Sequence, residues 1–248
     1  MRTVVAQSHA PDAPAWIARC VRSVRAWARG AGMAYRFEGD ALFERLSPEL
    51  REATSERAQV GADIARLVWI EALLAEGWDR VVWLDADVLV IDPEALTRCL
   101  ELPRGYLLGR EAWVQRARGG ELRAHRGVHN ALCAFAKDNP LLAFYLDAAT
   151  RVVLRHDGPM VPQLVGPKLL TALDNLVGLE ASWAVNMTSP LVLGDVARGG
   201  GDAFDLWRRR SDEPPAAVNL CASYVGTEVD RVTVDEALLE RAIDRLVP

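Results

Sequence analysis

Short apolar runs of strand length alternate along the first hundred residues with longer segments whose apolar positions recur at helical spacing. Thr3–Gln7 is a strand-type run at the start. "APAWIARCVRSVRAWARGAG" then sets Trp16, Ile17, Cys20, Val21, Val24, Trp27 and Ala28 on one helical face and stops at Gly30 and Gly32. Ala34–Phe37 reads as a second strand, and residues 41–58 as short helices broken at Ser47-Pro48. Residues 60–76 form a longer helix, with Ile64, Leu67, Val68, Glu71 and Leu74 at its spacing and Gly77 after its end. Arg80–Leu84 and Val88–Ile91 are β runs, and "IDPEALTRCL" starts a helix with Asp92 as N-cap and Pro93 at the first position.

This β-α-β-α-β order predicts an α/β fold of Rossmann-like type, a mostly parallel central sheet flanked by helices, in a single domain over residues 1–248. Ligands on such sheets bind beyond the carboxyl ends of the strands, where Asp85 falls. The later half is less regular. Strands are expected near 105–110, 128–135 and 217–224, with helices around Pro140–Arg155, after Gly166-Pro167 and from about Asp235. Loops at 157–167, 194–202 and 211–215 are candidate active-site segments.

Composition narrows the function classes. A net charge of −5 gives no basic stripe for nucleic acid. Cys20, Cys99, Cys133 and Cys221 are widely spaced and never form C-x-x-C, so they read as reduced thiols. No run is long and apolar enough for a secretory leader or a spanning helix, and a cytoplasmic or peripherally membrane-attached protein is expected. Of 29 basic residues only Lys137 and Lys168 are lysines, a bias that removes significance from any single arginine.

The chemistry concentrates in "VVWLDADVLV", where Asp85 and Asp87 interrupt an apolar run. Two buried carboxylates with nothing to compensate them are costly. If the backbone stays extended, residues i and i+2 point to one side and can share a hard divalent cation, which takes oxygen ligands and keeps sites for water or phosphate. Such a cation can neutralise the charge of a departing diphosphate.

The stretch "GADIARLVWIEALLAEGWDRVVWLDADVLVIDPEAL", with "VHNALCAFAKDNP" and "LVGPKLLTAL", resembles the core of DXD-motif glycosyltransferases of the GT-A fold, closest to glycosyltransferase family 32 with features of family 8. The likeness covers roughly residues 60–175. It implies a nucleotide-sugar-binding half at 1–100 and an acceptor-side half with a C-terminal helix at 101–248. It implies catalytic roles for Asp85 and Asp87, with Asp87 a direct ligand of Mn2+ or Mg2+ and Asp85 on the donor or on the metal through water. Donor contacts are implied for Gln7, Asp63, Arg66, Asp85, Asn130, Gly166 and Lys168. Asp63 and Arg66 sit at i and i+3 on one helix face, and on spacing alone they are an exposed ion pair contributing a few tenths of a kcal/mol. The partners implied are a UDP- or GDP-sugar and a saccharide or glycolipid acceptor, with no nucleic acid.

Two features depart from the family pattern. One glycine, in "AEGWDR", stands where two usually precede the strand, and "VNLCASYVG" has Asn219 where relatives carry a metal-binding histidine. Asn219 is therefore the candidate third ligand through its amide oxygen. His129 reads as a structural, hydrogen-bonded histidine. Arg208–Arg210 reads as a solvated helix end. Trp69 and Trp83 fit core positions, whereas Trp113 and Trp183 are candidates to stack on a sugar or base. The expected activity is metal-dependent glycosyl transfer from a nucleotide sugar to a hydroxyl, with retention as in the resembled families. Two rivals remain at this point. One is a haloacid-dehalogenase-type phosphatase using Asp85, Asp87, Lys168 and Asp195. The other is a non-catalytic homologue that binds nucleotide sugars.

Overall fold

Every element expected in the first hundred residues is found in the computed structural model, which describes residues 1–247. In chain order these are β1 (Thr3–Ser8), α1 (Ala15–Gly30), β2 (Ala34–Glu38), α2 (Pro48–Ala53), α3 (Ala58–Ala75), β3 (Arg80–Leu84), β4 (Val88–Val90) and α4 (Pro93–Arg98). Asp92 Oδ1 accepts from Ala95 N at 2.9 Å and Pro93 opens α4, as the sequence pattern requires. The later half holds β5 (Tyr106–Arg116), β6 (Leu122–Ala136), α5 (Pro140–Leu154), α6 (Leu169–Val177), β7 (Ala181–Ser182) and β8 (Val185–Met187). It ends with α7 (Pro190–Arg198), α8 (Asp202–Arg210), β9 (Ala217–Asn219), β10 (Thr227–Val229), β11 (Val232–Val234) and α9 (Glu236–Leu246).

The central sheet runs β2-β1-β3-β6-β5-β7, and three of its five pairings are parallel. A second sheet, β4-β9-β8, lies beside it. Alternation along β3 distributes its side chains between two cores. Val81 and Trp83 pack with Ile64, Leu67 and Ile70 of α3, while Val82 and Leu84 pack with Val24 and Trp27 of α1. Full burial of each aliphatic side chain there contributes about 1.5–3 kcal/mol. A third core joins Trp16, Ile17 and Cys20 of α1 to α7, α8 and α9.

Two expectations are corrected. Residues 194–202 are not a loop, because α7 runs on to Arg198 and only Gly199–Gly201 separate it from α8. The strands near 105–110 and 128–135 are the inner parts of one long hairpin, 106–116 against 122–136. Its register shifts between Leu108 and Gly109, where the His129 ring lies against the Gly109 backbone. A Cβ at Gly109 would come within 2.1 Å of that ring. His129 Nε2 donates to Val185 O at 3.0 Å and Nδ1 accepts from Ala131 N at 3.1 Å, which links the two sheets. Burial pushes this imidazole down to about 4, so the ring is neutral and structural. No helix among the described residues is long and apolar enough to cross a membrane.

Candidate active site

Strand β3 ends at Leu84 in the central sheet, and β4 begins at Val88 in the second. The link between them is a tight turn in which Val88 N donates to Asp85 O at 3.1 Å. The backbone is thus turned at the acidic doublet, so the extended geometry that would aim both side chains one way is not met. Asp85 and Asp87 nevertheless line the same cleft, of about 410 Å3, together with Asp63, Arg66, Asn130 and Asn219.

Arg66 is the centre of the polar wall. Its guanidinium lies 2.9 Å from Asp63 Oδ1, 2.8 Å from Asp85 Oδ1 and 2.8 Å from Asn130 O, and it stacks over the Trp83 ring. The Asp63 and Arg66 side chains are only 9% and 7% exposed, so this is a buried bridge and not the surface pair that spacing alone suggests. Burial raises the Asp63 carboxyl to about 6, opposed by Arg66 and reinforced by Asp85. Trp83 Nε1 also donates to Asp85 Oδ1, at 2.7 Å. Both of these Asp85 contacts fall on one oxygen, and the side chain keeps 23% of its surface open.

Asp87 is held from the opposite side. Asn219 Nδ2 donates to its Oδ1 at 2.6 Å and Ala222 N to its Oδ2 at 2.8 Å. Burial, then repulsion from Asp85, pushes this carboxyl up to about 7. Asn219 lies in register with Val88 across β4 and β9, which explains its reach to Asp87. Its own amide oxygen accepts from Cys221 N at 2.7 Å, so in this arrangement Asn219 acts as a donor to Asp87.

Gln7 and Gly166 stand behind the cleft wall. Gln7 Nε2 donates to Asp85 O at 3.0 Å and its Oε1 accepts from Tyr35, so both ends of its amide are engaged within the fold. Gly166 lies against Asn130 and Asp63; a Cβ there would come 2.8 Å from Asn130 Oδ1 and 2.9 Å from Asp63 Oδ2. Lys168 is exposed and lines a neighbouring cavity instead. Asp195, which the phosphatase reading needs near the doublet, is outside the cleft lining. It accepts from Ala203 N and Phe204 N at the start of α8 and pairs with Arg198. Of the tryptophans, Trp69, Trp83 and Trp183 are buried, and Trp183 donates to Asp212; Trp113 is half-buried against Tyr224. Arg208–Arg210 form the exposed end of α8.

The charge of this donor set suits a divalent cation. Three carboxylates, Asp63, Asp85 and Asp87, face one guanidinium, Arg66, which leaves two negative charges when all are ionised. Among the described residues no group of three His, Cys, Asp or Glu is placed to hold a metal, so water and a bound phosphate would complete the shell, as is common for Mg2+. Sequence reasoning missed Glu111, which burial alone raises to about 7 beside the neighbouring cavity. The period-two alternation in "REAWVQ" was its only signal.

No protein-family model matches the chain, and no curated protein does. Solved structures resemble it at low identity. One is a glycosyltransferase involved in glycosylation of the major capsid of PBCV-1 (14% identity, TM-score 0.43, 99% of this chain and 98% of that one). Another is the galactosyltransferase LgtC in complex with donor and acceptor sugar analogues (16% identity, TM-score 0.48, 98% and 95%). A third is mouse xyloside xylosyltransferase 1 in its apo form (11% identity, TM-score 0.48, 90% and 98%).

Proposed function

We propose that the chain is a GT-A-type glycosyltransferase that moves a sugar from a UDP- or GDP-sugar to an acceptor hydroxyl, with retention, using Mn2+ or Mg2+. One observation carries this reading. Asp85 and Asp87 leave the end of a central strand into one cleft, with Asp63, Arg66 and Asn130 on its wall. The motif resemblance over residues 60–175 involves these same positions.

Asp87, and Asp85 through its open side, would hold the cation, which supplies charge neutralisation for the departing diphosphate. Asn219 and the Ala222 N–H fix the Asp87 carboxylate in place. Asp63 and Asn130 offer acceptor and donor groups for sugar hydroxyls. Arg66, paired with both Asp63 and Asp85, orients the two carboxylates along the cleft wall. Gln7 holds the doublet turn from behind through the Asp85 carbonyl. Asp195 caps α8, so nothing favours the phosphatase alternative.

Calorimetric titration of UDP- and GDP-sugars, with and without Mn2+, tests the reading. Metal-dependent donor binding accompanied by slow donor hydrolysis is expected. Phosphate release from a generic ester without donor binding would overturn it. Donor binding with neither hydrolysis nor transfer would reduce the chain to a binding homologue.

A further inference from the structure

A second cavity, of about 680 Å3, opens beside the aspartate cleft. Gln163, Pro167, Met187, Cys221 and Ser223 line both spaces, so an occupant of one abuts an occupant of the other. The floor of this cavity comes from strand alternation. Glu111, Trp113 and Gln115 share one face of β5, while Ala112 and Val114 point into the third core. Across the hairpin, Glu111 is paired with Gly127 and Trp113 with His125.

Glu111 faces this cavity from β5. Burial raises its carboxyl to about 7. Gly127 leaves it room, because a Cβ there would stand 3.0 Å from Glu111 Oε1. A carboxyl so placed, facing an open cavity, is available to accept from the hydroxyl donors of a ligand. Beside it, Trp113 and Tyr224 pack with ring centroids 5.5 Å apart and form a half-exposed aromatic wall. An aromatic face next to a lone acceptor matches a pyranose, which has an apolar C–H face and a rim of hydroxyl donors.

We infer that the second cavity is a saccharide site, in which a sugar ring lies on the Trp113–Tyr224 wall and a ring hydroxyl donates to Glu111. The inference rests on the transferase reading in one respect only: the sugar held there would be the acceptor, and the shared wall brings its hydroxyl toward the donor cleft.

Saturation-transfer NMR on the full chain tests it with lactose, maltose and N,N′-diacetylchitobiose, and separately with UDP plus Mn2+. At least one disaccharide should receive saturation through its ring C–H groups. Trp113→Ala and Glu111→Ala should each weaken that binding about tenfold, which is the scale of one lost stacking or hydrogen-bonding contact, and leave UDP binding unchanged. Circular dichroism melting verifies that both variants are folded. Absence of disaccharide binding, or binding indifferent to both substitutions, overturns the inference, and UDP binding in that case leaves the transferase reading intact. Disaccharide binding that obeys both substitutions while no nucleotide binds would keep the saccharide site and remove the transferase. Decyl maltoside saturated only along its alkyl chain would make the cavity a lipid site and sink the proposal.

Discussion

The side-chain amide of Asn219 donates to Asp87 across 132 residues of sequence, at 2.6 Å. That bond and the Ala222 N–H engage both oxygens of a carboxylate that burial pushes up to about 7. Partners of this kind tune metal affinity by about 10–100-fold. Asn219→Ala should therefore weaken Mn2+ binding by about that factor in calorimetry while the far-ultraviolet spectrum stays unchanged. Asp87→Ala should abolish metal-stimulated donor hydrolysis and leave the protein folded, because loss of the charge also removes its repulsion with Asp85. Retention of full metal binding by both variants would remove the cation from this doublet.

Among the described residues Arg66 is the one cation paired with Asp63 and Asp85, and all three line the cleft. Removing one member of a buried ion cluster leaves uncompensated charge and typically costs about 3–5 kcal/mol. Arg66→Met should show a loss of that size in urea unfolding at pH 7. Asp63→Asn in the same background should recover part of it, since one stranded carboxylate disappears. A cost below about 1 kcal/mol would place Arg66 among ordinary surface pairs.

Gly166 tests whether the cleft wall must be tight. Its missing Cβ admits Asn130 and Asp63 within 3 Å. Gly166→Ala should push these two side chains aside and lower donor affinity, with a modest loss of stability of about 1–3 kcal/mol, as for other overpacked sites. Gly109→Ala provides the contrast, because there the added Cβ would meet the rigid His129 ring at 2.1 Å. Its effect should be on folding itself, seen as a fall in melting temperature larger than that of Gly166→Ala.

These contrasts show what the chain declares locally and what it does not. Asp92-Pro93 and Asn139-Pro140 are helix starts written in adjacent residues, and both helices form where that chemistry puts them. Ser189-Pro190 carries the same signal for α7, yet Gly194 and Gly199–Gly201 concealed the helix behind a loop-like composition. The doublet was legible because two charges interrupt one apolar run. The partners that fix its chemistry were not. Asn219 reaches Asp87 through β4–β9 pairing, and the wall over Glu111 is completed by Tyr224, more than a hundred residues onward. Local periodicity has no access to such cross-chain pairings.

Glu111 gives the pH prediction. Its carboxyl titrates near 7 in the folded protein, against an ordinary value of 4.5. Below 4.5 it is protonated in both folded and unfolded chains and costs nothing. Between 4.5 and 7 the unfolded chain releases the proton while the folded chain retains it, so stability falls as pH rises, and it levels off above 7. Glu111→Gln lacks this titration. The contributions of His129, Asp63 and Asp87 are common to both proteins and cancel in the comparison. Cys221 and Tyr224, which face Glu111, are pushed upward and stay neutral throughout the window, while His125, Arg126 and Lys168 line the same cavity. The stability advantage of Glu111→Gln over the wild type should thus open through this range and reach on the order of 1–3 kcal/mol at pH 8. Urea unfolding of the two proteins at pH 4.5, 6 and 8 measures it. A constant difference across the three values would mean that the carboxyl is already satisfied within the fold, leaving it no need of a hydroxyl from a bound sugar.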